Sequence, residues 1–171
     1  EPGIEFDARK LGWIGRIAPA VEITLAWKKH GVLTLEDARR KELIIAATAA
    51  GSTTEVLPRL MNIIGGTKFN IIKGYQGTAG ASLAMERGET QDSHETVDTL
   101  MFAKADWVKN DLVAVIVQYA LKRHPAFPDA PAMVEVGRTE EEKQVLALFG
   151  STADIGRSVD RKSTRLNSSH I

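Results

Sequence analysis

The 171-residue chain is 43% hydrophobic, balances 22 Lys and Arg against 22 Asp and Glu, and contains no cysteine. This size and apolar content suffice to bury a core, while neutral balance without a dense basic cluster argues against a surface that tracks nucleic-acid phosphates. No apolar run approaches the roughly 20 residues of a membrane span, and disulfides, thiolate metal sites and cysteine nucleophiles are excluded.

The chain begins at Glu1 without an initiator Met, and residues 3–17 already carry Ile4, Phe6, Leu11, Trp13, Ile14 and Ile17 in need of partners. A piece of a longer protein is therefore expected, and the missing leader carries no information. Residues 11–17 and 21–27 are apolar, β-branched runs separated by Ala18, Pro19 and Ala20, which predicts two extended segments with a break between them. Residues 28–31 read as a turn. Thr34 and Asp37 have capping-box spacing, and Arg39, Arg40 and Lys41 place positive charge at the end of the short helix they open.

Residues 44–64, IIAATAAGSTTEVLPRLMNII, read as a buried strand, a tight small-residue loop and a helix that Ser52 caps. Val56, Leu57, Leu60, Met61, Ile63 and Ile64 recur at helical spacing, and Pro58 is expected to kink that helix near its start. A second unit follows: a strand at 68–73, a glycine-rich loop at 74–80, and a helix at 81–87 stopped by Gly88. Strands separated by helices imply a largely parallel sheet whose ligands gather at the strand C-terminal ends.

Residues 89–95 are polar and match no element. Residues 96–110 are predicted helical with Val97, Leu100, Met101 and Val108 inward, and 112–120, LVAVIVQYA, is a buried strand. The proline-rich segment 124–131 is extended, and Thr139 with Glu142 caps a helix running to Gly150. Residues 160–170, DRKSTRLNSSH, match residue for residue the translation of a common sequencing-library adapter, with Ile171 as the next codon, and are expected to be a disordered tail outside the fold.

The first turns of the two loop-started helices carry backbone N–H groups without intrahelical partners, flanked by Ser and Thr hydroxyls, which makes them candidate anion seats. Gly74, Gly77 and Gly80 lack the dinucleotide spacing, and no Lys-Ser/Thr follows them. His30, His94 and His124 stand isolated, so no metal site is expected, and no nucleophile elbow surrounds Ser52.

The blocks GWIGRI, GVLTLEDARR, AGSTTEVLPRLMNIIGGTKFNIIKGYQGTAGASLAMERGE, LKRHPAFPDAP and TEEEKQVLALF resemble, in order from about Phe6 to Val159, the solute receptors of tripartite tricarboxylate transporters. The resemblance implies an α/β, periplasmic-binding-protein-like fold: a complete second lobe plus remnants of the first, joined by two crossing strands. By that division residues 1–27 hold the first-lobe remnant and a crossing strand, 28–111 the second lobe, 112–159 the return strand and part of the first lobe, and 160–171 the tail.

It further implies a periplasmic, non-catalytic receptor without cofactor or metal, binding a small carboxylate between its lobes and delivering it to membrane transporter subunits. Neither nucleic acid nor direct membrane insertion is part of that picture. The ligand positions carried over are Gly51, Ser52, Thr53 and Thr54 on one loop, and Gly77, Thr78 and Ala79 on the other. Glu55 departs from the pattern by putting a carboxylate one turn from the proposed anion; a capping box would fold it toward Ser52. The segment 92–96 does not follow the family pattern. An alternative of a different class is an enzyme on a similar frame, with Asp92, His94 or Glu95 as acid-base groups.

Overall fold

The β-branched runs on either side of Pro19 both form strands, but only the second is buried on both faces; in the first, Ile14 and Ile17 are exposed. The computed structural model describes residues 12–161; the expectations for residues 3–11 and for the tail from Lys162 onward lie outside them. Strand β1 (Gly12–Ala18) pairs antiparallel with β7 (Arg157–Arg161) in a two-stranded ribbon, with Gly12 opposite Arg161 and Ala18 opposite Arg157. The ribbon is tied to the body where Ala20 N–H donates to Ala153 O at 3.1 Å.

The main sheet has five strands in the order β4-β3-β5-β2-β6, formed by β2 (Glu22–Trp27), β3 (Leu43–Ala47), β4 (Phe69–Lys73), β5 (Asp92–Thr96) and β6 (Val113–Tyr119). Strand β3 runs parallel to β4 and β5, whereas β2 runs antiparallel to both β5 and β6. The sheet is therefore mixed rather than largely parallel. The strand–loop–helix units account for only its β4-β3-β5 half, and the two long apolar strands complete it in the opposite sense.

Alternation along β2 and β6 gives each sheet face its own core. On one face Ala26, Leu43, Ile45, Leu57, Met61, Val117 and Tyr119 pack with Leu35 of α1 (Leu35–Arg40), with Met133 and Val136, and with Leu146 of α5 (Glu140–Gly150). On the other, Ile23 and Leu25 pack with Met85, Val97 and Leu100, covered by Trp27 and Trp107. Segments before and after β6 thus share one core.

Both predicted capping boxes form. Thr34 Oγ1 accepts Asp37 N–H while Asp37 Oδ2 accepts Thr34 N–H, each at 3.1 Å, and Thr139 and Glu142 exchange the same pair of bonds at 3.2 Å. Helix α2 (Thr53–Leu60) runs continuously through Pro58; regularity changes only at the π-helical turn Met61–Gly65, which Gly66 closes. Helix α3 (Gly77–Arg87) starts four residues before the predicted point, so Thr78 and Ala79 belong to its first turn.

Two sequence expectations fail here. Residues 96–110 are not one helix but a π-helical turn, Thr99–Ala103, and a short α4 (Ala105–Lys109) broken at Lys104. Val97 and Leu100 are buried as expected, yet Met101 is 39% and Val108 36% exposed. The wider turn and the break rotate the apolar face away, and Lys104 is drawn to Glu95 at 3.1 Å. The second miss is β5 itself: its polar sequence DSHET lies at the middle of the sheet, with Asp92, Ser93, His94 and Glu95 all buried.

After β6 the proline-rich segment is held by one side chain. Gln118 is fully buried; its Nε2 donates to Phe127 O at 2.7 Å and Ala130 O at 2.8 Å, and its Oε1 accepts His124 N–H at 2.7 Å. Gln118→Leu leaves His124 N–H and Ala130 O without partners and Phe127 O with only its 3.3 Å bond from Ala130 N–H, and should cost about 2–4 kcal/mol of stability. Urea denaturation measures it, and a loss under 1 kcal/mol would mean that the segment holds its shape without Gln118.

Candidate ligand site

Parallel pairing brings Ala47 at the end of β3 beside Lys73 at the end of β4, so the two loops that follow leave the sheet side by side. They also touch: Gly74 N–H donates to Thr48 O at 2.9 Å and Tyr75 N–H to Ala47 O at 3.3 Å. Gly51 (φ 77°) and Gly77 (φ 67°) take left-handed backbone that L side chains rarely adopt, and each lets its loop turn abruptly into a helix. The N-termini of α2 and α3 therefore face the same sheet edge.

The first loop uses most of its donors internally. Ser52 occupies the N-cap position of α2 without capping it through its side chain: Oγ donates to Ala49 O at 2.7 Å. Thr54 is buried, and its Oγ1 accepts Thr48 N–H at 3.0 Å. Glu55 folds back one residue beyond Ser52, and its Oε2 accepts Gly51 N–H at 2.7 Å. That bond, followed by Lys73 at 3.3 Å, holds the Glu55 carboxyl below the usual carboxylate range. Gly51 thus already serves an anion, the protein's own. Thr53 Oγ1 donates to Glu22 Oε1 at 3.2 Å. At the start of α2 the N–H groups of Thr53 and Thr54 have no partner among the described residues, and neither do those of Ala49 and Ala50 earlier in the loop.

The second loop is open. Gly77, Thr78 and Ala79 are exposed, and no acidic residue occupies the first turn of α3. Their N–H groups and the Thr78 hydroxyl have no partner among the described residues. Thr78 and Ala79 border a groove of about 430 Å3 that α3 also lines with Ser82 and Glu86, together with Glu95, Thr99 and Lys104 from other elements. Glu95, 4% exposed, accepts from Ser82 and from Ser93 (3.1 Å) and pairs with Lys104, whose Nζ also lies 4.0 Å from the Trp107 ring centroid.

The acid-base groups of the enzyme alternative are poorly placed to reach a substrate. Asp92 is fully buried with Oδ1 accepting Leu25 N–H at 3.0 Å, His94 is enclosed against Tyr119, and Glu95, though it borders the groove, is 4% exposed and engaged by two serines and a lysine. Burial pushes the Asp92 carboxyl well above the usual carboxylate range, against the pull of the Leu25 bond and with help from the Glu95 charge. Sequence reasoning missed Glu22, Ser82 and Lys104 as neighbours of the loops. Glu22 merely opens an apolar run, and no spacing links it to Thr53, 31 residues away. Among the described residues no helix is long and apolar enough to cross a membrane, and no group of three or more His, Asp or Glu is placed to hold a metal ion.

No protein-family model matches the chain, and no curated protein matches it. Solved structures do. A TctC solute-binding protein from Polaromonas, without ligand, superposes with a TM-score of 0.61 at 15% identity, over 87% of this chain and 57% of that one. The fold is that of periplasmic solute-binding proteins. A Rhodopseudomonas palustris protein solved with adipate gives 0.58 at 16% identity, over 90% of this chain and 57% of that one. MatC from the same organism, with bound malate, gives 0.56 at 17%, over 84% and 55%. The chain spans little more than half the length of these neighbours.

The buried Asp92 makes a pH prediction with a definite sign. Its raised folded-state value means that the folded protein keeps a proton the unfolded chain releases, so stability is fully present below the ordinary Asp range and is lost as pH rises toward the folded value. Asp92→Asn keeps an acceptor for Leu25 N–H and removes the titration. Its unfolding free energy should fall less steeply between pH 4 and pH 8 than that of the wild type, and parallel pH profiles in urea denaturation would contradict the burial argument.

Proposed function

We propose that the parent protein is a periplasmic solute receptor that binds a small carboxylate in a cleft between two lobes and hands it to membrane transporter subunits. The observation that carries the reading is the pair of adjoining helix N-termini with unpartnered amides, at the carboxyl ends of parallel strands in a fold shared with a TctC solute-binding protein and with two proteins solved with adipate and with malate. Such amides stabilise a carboxylate by charge-assisted hydrogen bonds and the helix dipole, with no full positive charge needed. On this reading Gly77, Thr78 and Ala79 are the principal donors of this wall, joined by the N–H groups of Thr53 and Thr54, while Gly51, Ser52 and the Thr54 hydroxyl shape the loop. The crossing strands β2 and β6, paired from Glu22 opposite Tyr119 to Trp27 opposite Val113 with one register shift after Thr24, carry the wall toward a facing lobe.

The test is thermal unfolding against a panel of mono-, di- and tricarboxylates. A true ligand at a hundredfold excess over its Kd should stabilise the protein by about 2.7 kcal/mol, and absence of a shift with every carboxylate would overturn the reading. Thr78→Val removes an exposed hydroxyl without touching the core and should weaken binding of the ligand so found by roughly 1–3 kcal/mol. Isothermal titration reads the difference, and unchanged affinity would move the site away from α3.

A further inference from the structure

Helix α3 lends one face to the groove beside its start: Thr78 and Ala79 in the first turn, Ser82 and Leu83 in the second, Glu86 in the third. At about 1.5 Å of rise per residue, Ser82 lies roughly 6 Å and Glu86 roughly 12 Å along the axis from Thr78. The groove thus leads from the unpartnered amides of the first turn along the helix. Its remaining lining comes from Glu95 of β5 and from Thr99 and Lys104 before α4.

Charge in this groove is unbalanced. The lining carries two carboxylates, Glu86 and Glu95, and one ammonium, Lys104. That ammonium is committed, with Nζ 3.1 Å from Glu95 Oε1 and 4.0 Å from the Trp107 ring centroid. Glu86 is exposed and has no Lys or Arg partner among the described residues. Glu95 points to a ligand independently. Its side chain is 4% exposed, yet Ser82, Ser93 and Lys104 all meet the same oxygen, Oε1, and Oε2 has no partner among the described residues. A carboxylate oxygen so nearly enclosed and without a donor is costly, and a donor carried in by a ligand relieves that cost.

A dicarboxylate held by one end at the start of α3 brings its other charge against Glu86 and Glu95, a like-charge contact. An ammonium at that end meets Glu86 and the free oxygen of Glu95 instead. Extended 5-aminopentanoate and 6-aminohexanoate set ammonium and carboxylate about 6–8 Å apart at ordinary bond lengths, which falls between the first and third turns of α3.

We infer that this groove sets the ligand class of the proposed receptor: a carboxylate with an ammonium at the opposite end of a short aliphatic chain, an ω-amino acid, in preference to a dicarboxylate of similar length. This rests on the receptor reading above. The experiment is isothermal titration of the 171-residue protein with hexanoate, adipate and 6-aminohexanoate, which differ in the charge of the far end, on the wild type, Glu86→Gln and Glu86→Lys. Both substitutions fall on an exposed side chain outside the core, and unchanged unfolding midpoints confirm that the variants fold.

The wild type should bind 6-aminohexanoate at least about tenfold more tightly than adipate, the scale of one charge-assisted bond, with hexanoate between them. Glu86→Gln should narrow that ratio and Glu86→Lys should reverse it. Equal affinities on the wild type, or a preference for adipate, would overturn the inference while leaving the carboxylate receptor standing. A ratio that neither variant moves would also overturn it, since the discrimination would then lie outside the groove. So would binding of other carboxylates but none of these three; if no carboxylate binds at all, the receptor reading falls with it.

Discussion

The hydrogen bond from Leu25 N–H to Asp92 Oδ1 stands for the constraint on which the molecule depends: a polar strand must be made acceptable at the centre of the sheet. Strand β5 lies between β3 and β2, with an apolar core on each face, and nearly every polar group it brings needs a partner there. Ser93 and Glu95 face α3 and find Ser82 and Lys104; His94 finds Glu22 on the opposite face. Partners from α3, from the turn before α4 and from β2 are thereby drawn to one strand. The parallel half of the sheet and its antiparallel half are joined through it.

That arrangement also decides what lies around the two helix N-termini. The dipole of each helix favours negative charge at its start, but the two starts differ. At α2 the favourable position is already taken by Glu55 on Gly51 N–H, and Glu22 approaches from the side. At α3 no acid stands in the first turn, Gly77, Thr78 and Ala79 are exposed, and Thr78 and Ala79 border the groove that Glu95 and the half-buried Lys104 also line. One end of the sheet thus carries a helix start free of acids next to one that Glu55 already serves.

Most of the architecture was legible in the sequence because local rules and tertiary packing agree. Thr34 with Asp37 and Thr139 with Glu142 announce their helices, and the small-residue loops after β3 and β4 mark two strand–helix units in succession. DSHET was not legible, since a strand of polar residues is stabilised by Leu25, Ser82, Lys104 and Glu22, all distant in sequence, and periodicity carries no trace of such partners. The break at Lys104 was hidden for the same reason: its cause is Glu95, nine residues earlier but on another element. The loops themselves could be found from Gly51 and Gly77, whereas the direction in which Glu55 and Thr54 turn depends on which amide is geometrically nearest.

The internal bonding of the first loop bears on the speed and cost of the recognition proposed above. Thr48, Ser52 and Thr54 interlock by hydroxyl contacts of 2.8 and 3.0 Å, Glu55 fastens Gly51, and Glu22 fastens Thr53 to the neighbouring strand. Conformational entropy that a floppy loop would surrender on meeting a solute has here been surrendered during folding. The Thr53 and Thr54 amides are held in a fixed orientation, so on the receptor reading proposed above a solute would meet this part of the wall already formed.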